Sequence, residues 1–250
     1  MRIDRWLGAT ALAAALTGSY AQQPTPRVVL VQPSGSEVPA NLLRLTIQFE
    51  NPFEGPVLQR LALLRADGTQ IPEPFLEQEL WAPDGRLLTV LMHPGRVKSG
   101  LIAHDELGPI LSAGEVVNLV LDGRPIKRWN VGQADTVGPD VSAWIMSTVR
   151  VDSRQALVAK LDGPIDGRDA DYLAIADQRG RRVLGHARLS DGERTWTFIP
   201  NTPWKAGTYT LVARGTLEDP AGNRLGSRFE TPVQAPAGTP VDAVIPFVVQ

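Results

Sequence analysis

The chain has 250 residues, of which 43% are hydrophobic and 21% charged, with a formal net charge of −2, three histidines and no cysteine. The missing thiol excludes disulfides, thiolate metal centres, iron–sulfur clusters and attachment of lipid to an N-terminal cysteine. The slightly acidic balance lacks the basic footprint of a nucleic-acid binder, so no nucleic acid is expected as a partner, and the length suits two domains of ordinary size.

Residues 1–21 have the three parts of a secretory signal: Arg2 and Arg5, an apolar run from Trp6 to Leu16, and Ser19-Tyr20-Ala21 as a small-x-small cleavage site. Cleavage is expected after Ala21, which makes the protein exported, periplasmic or secreted. A retained N-terminal anchor is the alternative. The apolar run falls short of the roughly 20 residues that span a bilayer, and no later segment comes closer, so the mature form is expected to lack a transmembrane segment.

After a Pro-rich lead-in, "LLRLTIQFE" alternates, with Leu43, Leu45, Ile47 and Phe49 on one face and Arg44, Thr46, Gln48 and Glu50 on the other, the pattern of a half-buried strand. Short β-rich runs follow: "LQRLALLRA", "LEQELW", "RLLTVLMH" and "EVVNLVLDG", separated by turn-forming "NPFEG", "ADGT", "APDG" and "SAGE". A second series runs from "QALVAKLDG" through "DYLAIADQRG", "RRVLGHARL" and "RTWTFIP" to "GTYTLVARG". Strands spaced this way predict antiparallel sandwiches.

The two series read as one unit repeated. Pro52 precedes Gly68 by 16 residues and Pro164 precedes Gly180 by the same 16, "LLTVLMHP" answers "TWTFIPNTP", and "SAGEVVNLVL" answers "KAGTYTLVAR". A duplication of about 100 residues per copy follows, each copy with its own core. The expected division is a first sandwich over 22–131, a linker over 132–139, a second sandwich over 140–232, and a C-terminal tail over 233–250 whose "AVIPFVV" is too apolar to lie loose in water and is expected to dock as a strand.

Aligning the copies sets Thr89 against Thr197, so Leu88, Val90 and Met92 take the inward places of Trp196 and Phe198, and the first copy is 15 residues longer before its Ala-Gly. That insertion, around 93–108, contains His93, Arg96, Lys98, His104, Asp105 and Glu106. His93 and His104 stand eleven apart, which is not the spacing of a helical metal site, and no metal is expected. His186 is isolated in a strand. No serine elbow, phosphate loop or EF-loop order occurs, so no catalytic residue and no cofactor is expected; a hydrolase with paired carboxylates, a geometry that leaves no sequence spacing, is the remaining alternative. The acidic "DGPIDGRDAD", with Asp162, Asp166, Asp169 and Asp171, reads as a polar hairpin loop, with calcium as the alternative. "LEDPAGNRLG" reads as a structural turn from Asp219 through Pro220 to Asn223, and Trp144, Trp196 and Trp204 as core.

The strings "VPANLLRLTIQF", "LWAPDGRLLTVLMHPGRVKSGL", "LDGPID" and "GERTWTFIPNTPWKAGTYTLVARGTLEDPAGNRLGSRFE" resemble uncharacterised secreted bacterial proteins with SbsA-type Ig-like domains, over nearly all of the mature chain. The resemblance implies an all-β fold of two tandem Ig-like antiparallel β-sandwich domains and no assigned activity. It makes Gly95, Arg96, Lys98, Gly100 and Leu101 the distinctive part of the insertion, and it places an aspartate where His93 stands. Arg96 and Lys98 are expected to pin the insertion to carboxylates such as Glu79, or else, with His104, to contact an anionic ligand or a partner.

The function expected is that of a non-enzymatic structural or interaction protein of the bacterial cell envelope, its partner an unknown envelope protein or cell-wall component. The alternative is a periplasmic protein binding a small ligand or metal ion in the interdomain cleft or at the 93–108 loop.

Overall fold

A computed structural model describes residues 26–53, 55–97, 101–225 and 240–250; the leader and Lys98 lie outside the described residues. The first sandwich consists of β1 (Val28–Gln32), β2 (Glu37–Pro39), β3 (Arg44–Phe49), β4 (Leu61–Arg65), β5 (Phe75–Trp81), β6 (Leu87–Met92), β7 (Val116–Leu121) and β8 (Arg124–Gly132). Two short helices, α1 (Pro94–Val97) and α2 (Ile102–Leu107), lie between β6 and β7. One sheet has the order β1-β3-β6-β5 and the other β2-β8-β7-β4. These orders reproduce the ABED and CFG sheets of an immunoglobulin sandwich, with β2 added in parallel to the end of β8.

The second sandwich consists of β9 (Ile145–Met146), β10 (Leu157–Lys160), β11 (Leu173–Ala176), β12 (Gly185–Ser190), β13 (Thr195–Pro200), β14 (Gly207–Ala213) and β15 (Ala243–Val249). Its sheets, β12-β13-β10-β9 and β11-β14-β15, repeat the same plan. The C-terminal apolar segment is therefore the seventh strand, paired with β14 along its whole length from Gly207↔Val249 to Ala213↔Ala243. Pro246 falls mid-strand. A proline is tolerated there because β15 is an edge and its missing N–H need face no partner.

Alternation explains which residues turn inward. On β6, Leu88, Val90 and Met92 are buried, and on β13 Trp196 and Phe198 take the matching places. One core gathers Leu45, Ile47, Phe49, Leu63, Val90 and Trp129; the other gathers Trp144, Leu157, Ile175, Trp196, Trp204 and Leu211. The three tryptophans of the second core each keep an indole N–H partner: Trp144 on Asp162, Trp196 on the Ala170 carbonyl and Trp204 on the Gln155 carbonyl. Burying an indole otherwise leaves a donor unmet.

Two expectations need correction. The outward face of "LLRLTIQFE" is not uniformly solvated: Thr46 is buried and the Arg44 side chain is only 11% exposed, because the second sandwich covers that end of β3. Four strands also escaped the sequence pattern, the short β2 and β9 and two longer ones. The lead-in forms β1, and "RPIKRWNVG" forms β8, the longest of the described strands.

Candidate functional site

The loops that gather at one end of the second sandwich carry most of its buried charge. Asp166 and Asp169 come from the loop after β10, Glu193 from the β12–β13 turn, and Glu218, Asp219 and Asn223 from the loop after β14. This end faces Gln32, Ser34, Asn41 and Arg44 of the first sandwich. Arg44 donates through Nε to Asp166 and through Nη2 to Glu218. Arg168 backs Asp166 at 3.1 Å and Arg224 backs Glu218 at 2.9 Å. Glu193 accepts from the Ser34 amide at 2.8 Å and from the Gln32 side chain at 3.2 Å, and Gln32 in turn accepts from the Thr46 hydroxyl.

Backbone bonds complete the junction. The Leu43 amide donates to the Pro220 carbonyl at 2.9 Å. Asp135 of the connecting segment exchanges two bonds with the Asn41 side chain, and its carbonyl also accepts from Asn223. The Asp219 turn is structural as expected, its carboxylate accepting from the Asn223 amide and side chain. So many satisfied partners leave a cavity of only about 10 Å³ beside Arg44, Asp166 and Gly167, no more than the minimum that holds one water.

Two glycines meet across the junction. Gly192 has a φ of +61°, and a Cβ there would lie 2.9 Å from the Gly35 Cα. Gly192→Ala is therefore expected to cost about 2 kcal/mol, from left-handed strain in a residue with a Cβ together with the backbone collision. A thermal melt of the variant checks this.

The buried carboxylates titrate unequally. Burial raises Asp169 to about 6, with the Glu218 amide opposing and the neighbouring Asp166 charge adding to the rise. Burial likewise raises Asp219 to about 6 against its bonds to Asn223. For Asp166, burial alone would raise the pKa, but the charges of Arg44 and Arg168 outweigh it and hold it below the ordinary carboxylate range. The signs differ accordingly. Asp169 and Asp219, raised above their unfolded value of 3.8, destabilise the fold when ionised, so stability grows as pH falls from about 6 toward 3.8. Asp166 contributes its stability at all pH above its unfolded value of 3.8 and loses it as pH drops below that. A melting temperature a few degrees higher at pH 5 than at pH 7.5, falling again below pH 4, is the expected profile. Differential scanning calorimetry across that range measures it.

The insertion is held from inside. Arg96 is 1% exposed, and its guanidinium donates to the carbonyls of Pro72, Glu73, Leu107, Gly108 and Pro109. The carboxylate named for it, Glu79, is engaged elsewhere, accepting from the amides of Val57 and Leu58 and from the Trp81 indole. The anchor is thus a set of carbonyls, because the chain crossing below Arg96 presents loop backbone rather than an acidic side chain. Burial pushes the Arg96 pKa down, opposed by Glu73, although a guanidinium stays charged at neutral pH.

His104 Nδ1 lies 2.9 Å from the Arg96 carbonyl, so that nitrogen is the protonated one. His93 is half-buried with Nδ1 out of solvent and unpartnered among the described residues. Leu101, Ile102 and Leu107 stand exposed around α2, Ile102 at 77%. His186 is exposed on β12. Among the described residues no group of three His, Asp or Glu is arranged to hold a metal ion, and no helix is long and apolar enough to cross a membrane.

No family model and no curated protein sequence matches the chain. Solved structures with which it shares weak likeness include the N-terminal part of the bacterial S-layer protein SbsC, at 13% identity and a TM-score of 0.28, covering 91% of this chain and 44% of that one. An L,D-transpeptidase from Mycobacterium smegmatis gives 14% identity and a TM-score of 0.30, covering 88% and 73%. Titin domains I67–I69 give 8% and 0.25, covering 86% and 61%. The chain thus spans less than two thirds of the titin and S-layer fragments. The assignment to Ig-like all-β sandwiches rests on the strand order itself.

Proposed function

We propose that the protein is a non-enzymatic, exported structural or interaction protein of the bacterial cell envelope, built from two SbsA-type Ig-like domains that divide at residues 132–139. The observation that carries this reading is the junction. Arg44, Asp166 and Glu218 bridge the two sandwiches as a buried ion network, and the surrounding loops fill the cleft. Such a junction supports a set relative orientation, which serves a spacer or a two-domain binding platform. Fold alone selects no partner.

Arg96 and His104 contribute to this reading as positioning residues of the inserted loop, whose exposed Leu101, Ile102 and Leu107 face outward for a partner. The test is a pull-down of envelope fractions on the purified mature protein. Retention of a cell-wall component or an envelope protein is expected. Recovery of nothing, with a melting temperature that rises on addition of a metal ion or a small anion, would replace this reading by the ligand-binding one.

A further inference from the structure

The two strands that line an open seam of the first sandwich point to an interaction surface. β1 is the edge of its sheet, and β2 covers the outer side of β8 only from Asn130 to Gly132, so the stretch from Arg124 to Arg128 also presents an uncovered edge. Half the backbone groups of an edge strand face away from its neighbour without a ladder partner. Between these two edges lies a groove of about 580 Å³.

Its lining has a definite chemistry. Val29, 59% exposed, Leu30 and Ile126 supply apolar surface. The charged residues that line it are Arg27, Arg124 and Lys127, all cationic, with no carboxylate among the lining side chains. Arg27 is paired at the surface with Glu50, and Lys127 donates to the Ser34 carbonyl at 2.5 Å and feels the charge of Glu193. Arg124 has no ion-pair partner among the described residues. Both strands carry irregularities, between Val28 and Leu30 on β1 and opposite Leu119–Val120 on β8. Such irregularities discourage flat edge-to-edge pairing of two copies.

We propose that this groove binds an extended segment of a partner protein that alternates carboxylate and apolar side chains. Its backbone lies along β1, its carboxylates meet Arg27, Arg124 and Lys127, and its apolar residues cover Val29, Leu30 and Ile126. This mode combines strand addition with charge matching. The inference rests on the reading of the protein as an interaction module and adds to it the site and the partner chemistry.

Selection of a displayed library of short random peptides on the full-length protein tests it. Acidic, alternating sequences are expected to be enriched, and their binding should weaken roughly tenfold in Arg124→Glu or Arg27→Ala and fall in high salt. Circular dichroism is the control that both variants, altered at exposed positions, are folded. Backbone amide shifts on titration should concentrate in Val28–Leu30 and Arg124–Ile126. Three results overturn the proposal: enrichment of non-acidic sequences or of none, binding that both variants leave unchanged, and a concentration-dependent dimer that Arg124→Glu abolishes. The envelope pull-down is independent of this selection, so failure of the groove and failure of the broader reading are separable.

Discussion

Arg44→Ala is expected to destabilise the protein by about 3 kcal/mol, because removing one member of a buried ion network leaves the others charged and uncompensated. For a chain of this size that is a fall in melting temperature of roughly 6–12 °C. The reasoning starts from exposure. Arg44, Asp166 and Glu218 are 11%, 5% and 15% exposed at their side chains, so water cannot replace the lost guanidinium. A second readout separates local from global effects: among the described residues the Arg44 network is the largest charged cluster joining the two cores, so calorimetry should show the two sandwiches melting further apart in the variant than in the parent. The triple variant Arg44→Met, Asp166→Asn, Glu218→Gln should recover part of the loss, since it removes the two carboxylate charges that Arg44→Ala leaves uncompensated. An Arg44→Ala protein that melts as one transition at the parent temperature would show that the two sandwiches are held by the backbone contacts alone.

The same network marks the limit of what the sequence discloses. The internal repeat and the inward residues of β6 and β13 follow from alternation, since a strand places every second side chain on one face. Alternation says nothing of what the other face meets. Arg44 and Thr46 occupy outward positions on β3, yet Arg44 reaches Asp166, 122 residues away, and Glu218, 174 residues away. No local pattern encodes a pairing at that separation. The segment of Asp166 and Asp169 has the sequence of a polar hairpin loop for the same reason; their burial is a property of the junction and not of their own segment.

The strands β1 and β8 were illegible for a different reason. β8 carries Arg124, Lys127 and Arg128 along an uncovered edge, and its bulge shifts the register between Leu119 and Val120 of its partner, which interrupts period-two alternation. β1 is a run of consecutive apolar residues following prolines, without polar alternation to announce it. Edge strands of this kind are defined by their neighbours. The groove between them therefore emerges only once both sheets are assembled.

The insertion at 93–108 gives the other large expected effect. Arg96→Met should cost about 3 kcal/mol, comparable to Arg44→Ala, because it removes a buried charged donor that bonds the carbonyls of Pro72, Glu73, Leu107, Gly108 and Pro109 and so ties two stretches of loop together. Unlike the junction variant, this one should leave the two sandwiches docked, and its damage should be local: amide hydrogen exchange in α2 and in residues 71–74 should accelerate, while exchange in β10 and β13 stays at the parent rate. Arg96→Lys is the sharper comparison. It keeps the charge but substitutes a single ammonium, with three donors at one point, for a planar guanidinium that reaches two separate stretches of backbone. Lysine can satisfy the carbonyls of 72–73 or those of 107–109, not both, so it should recover less than half of the loss. Full recovery by lysine would mean that positive charge at this position, and not the guanidinium fork, holds the loop to the sandwich.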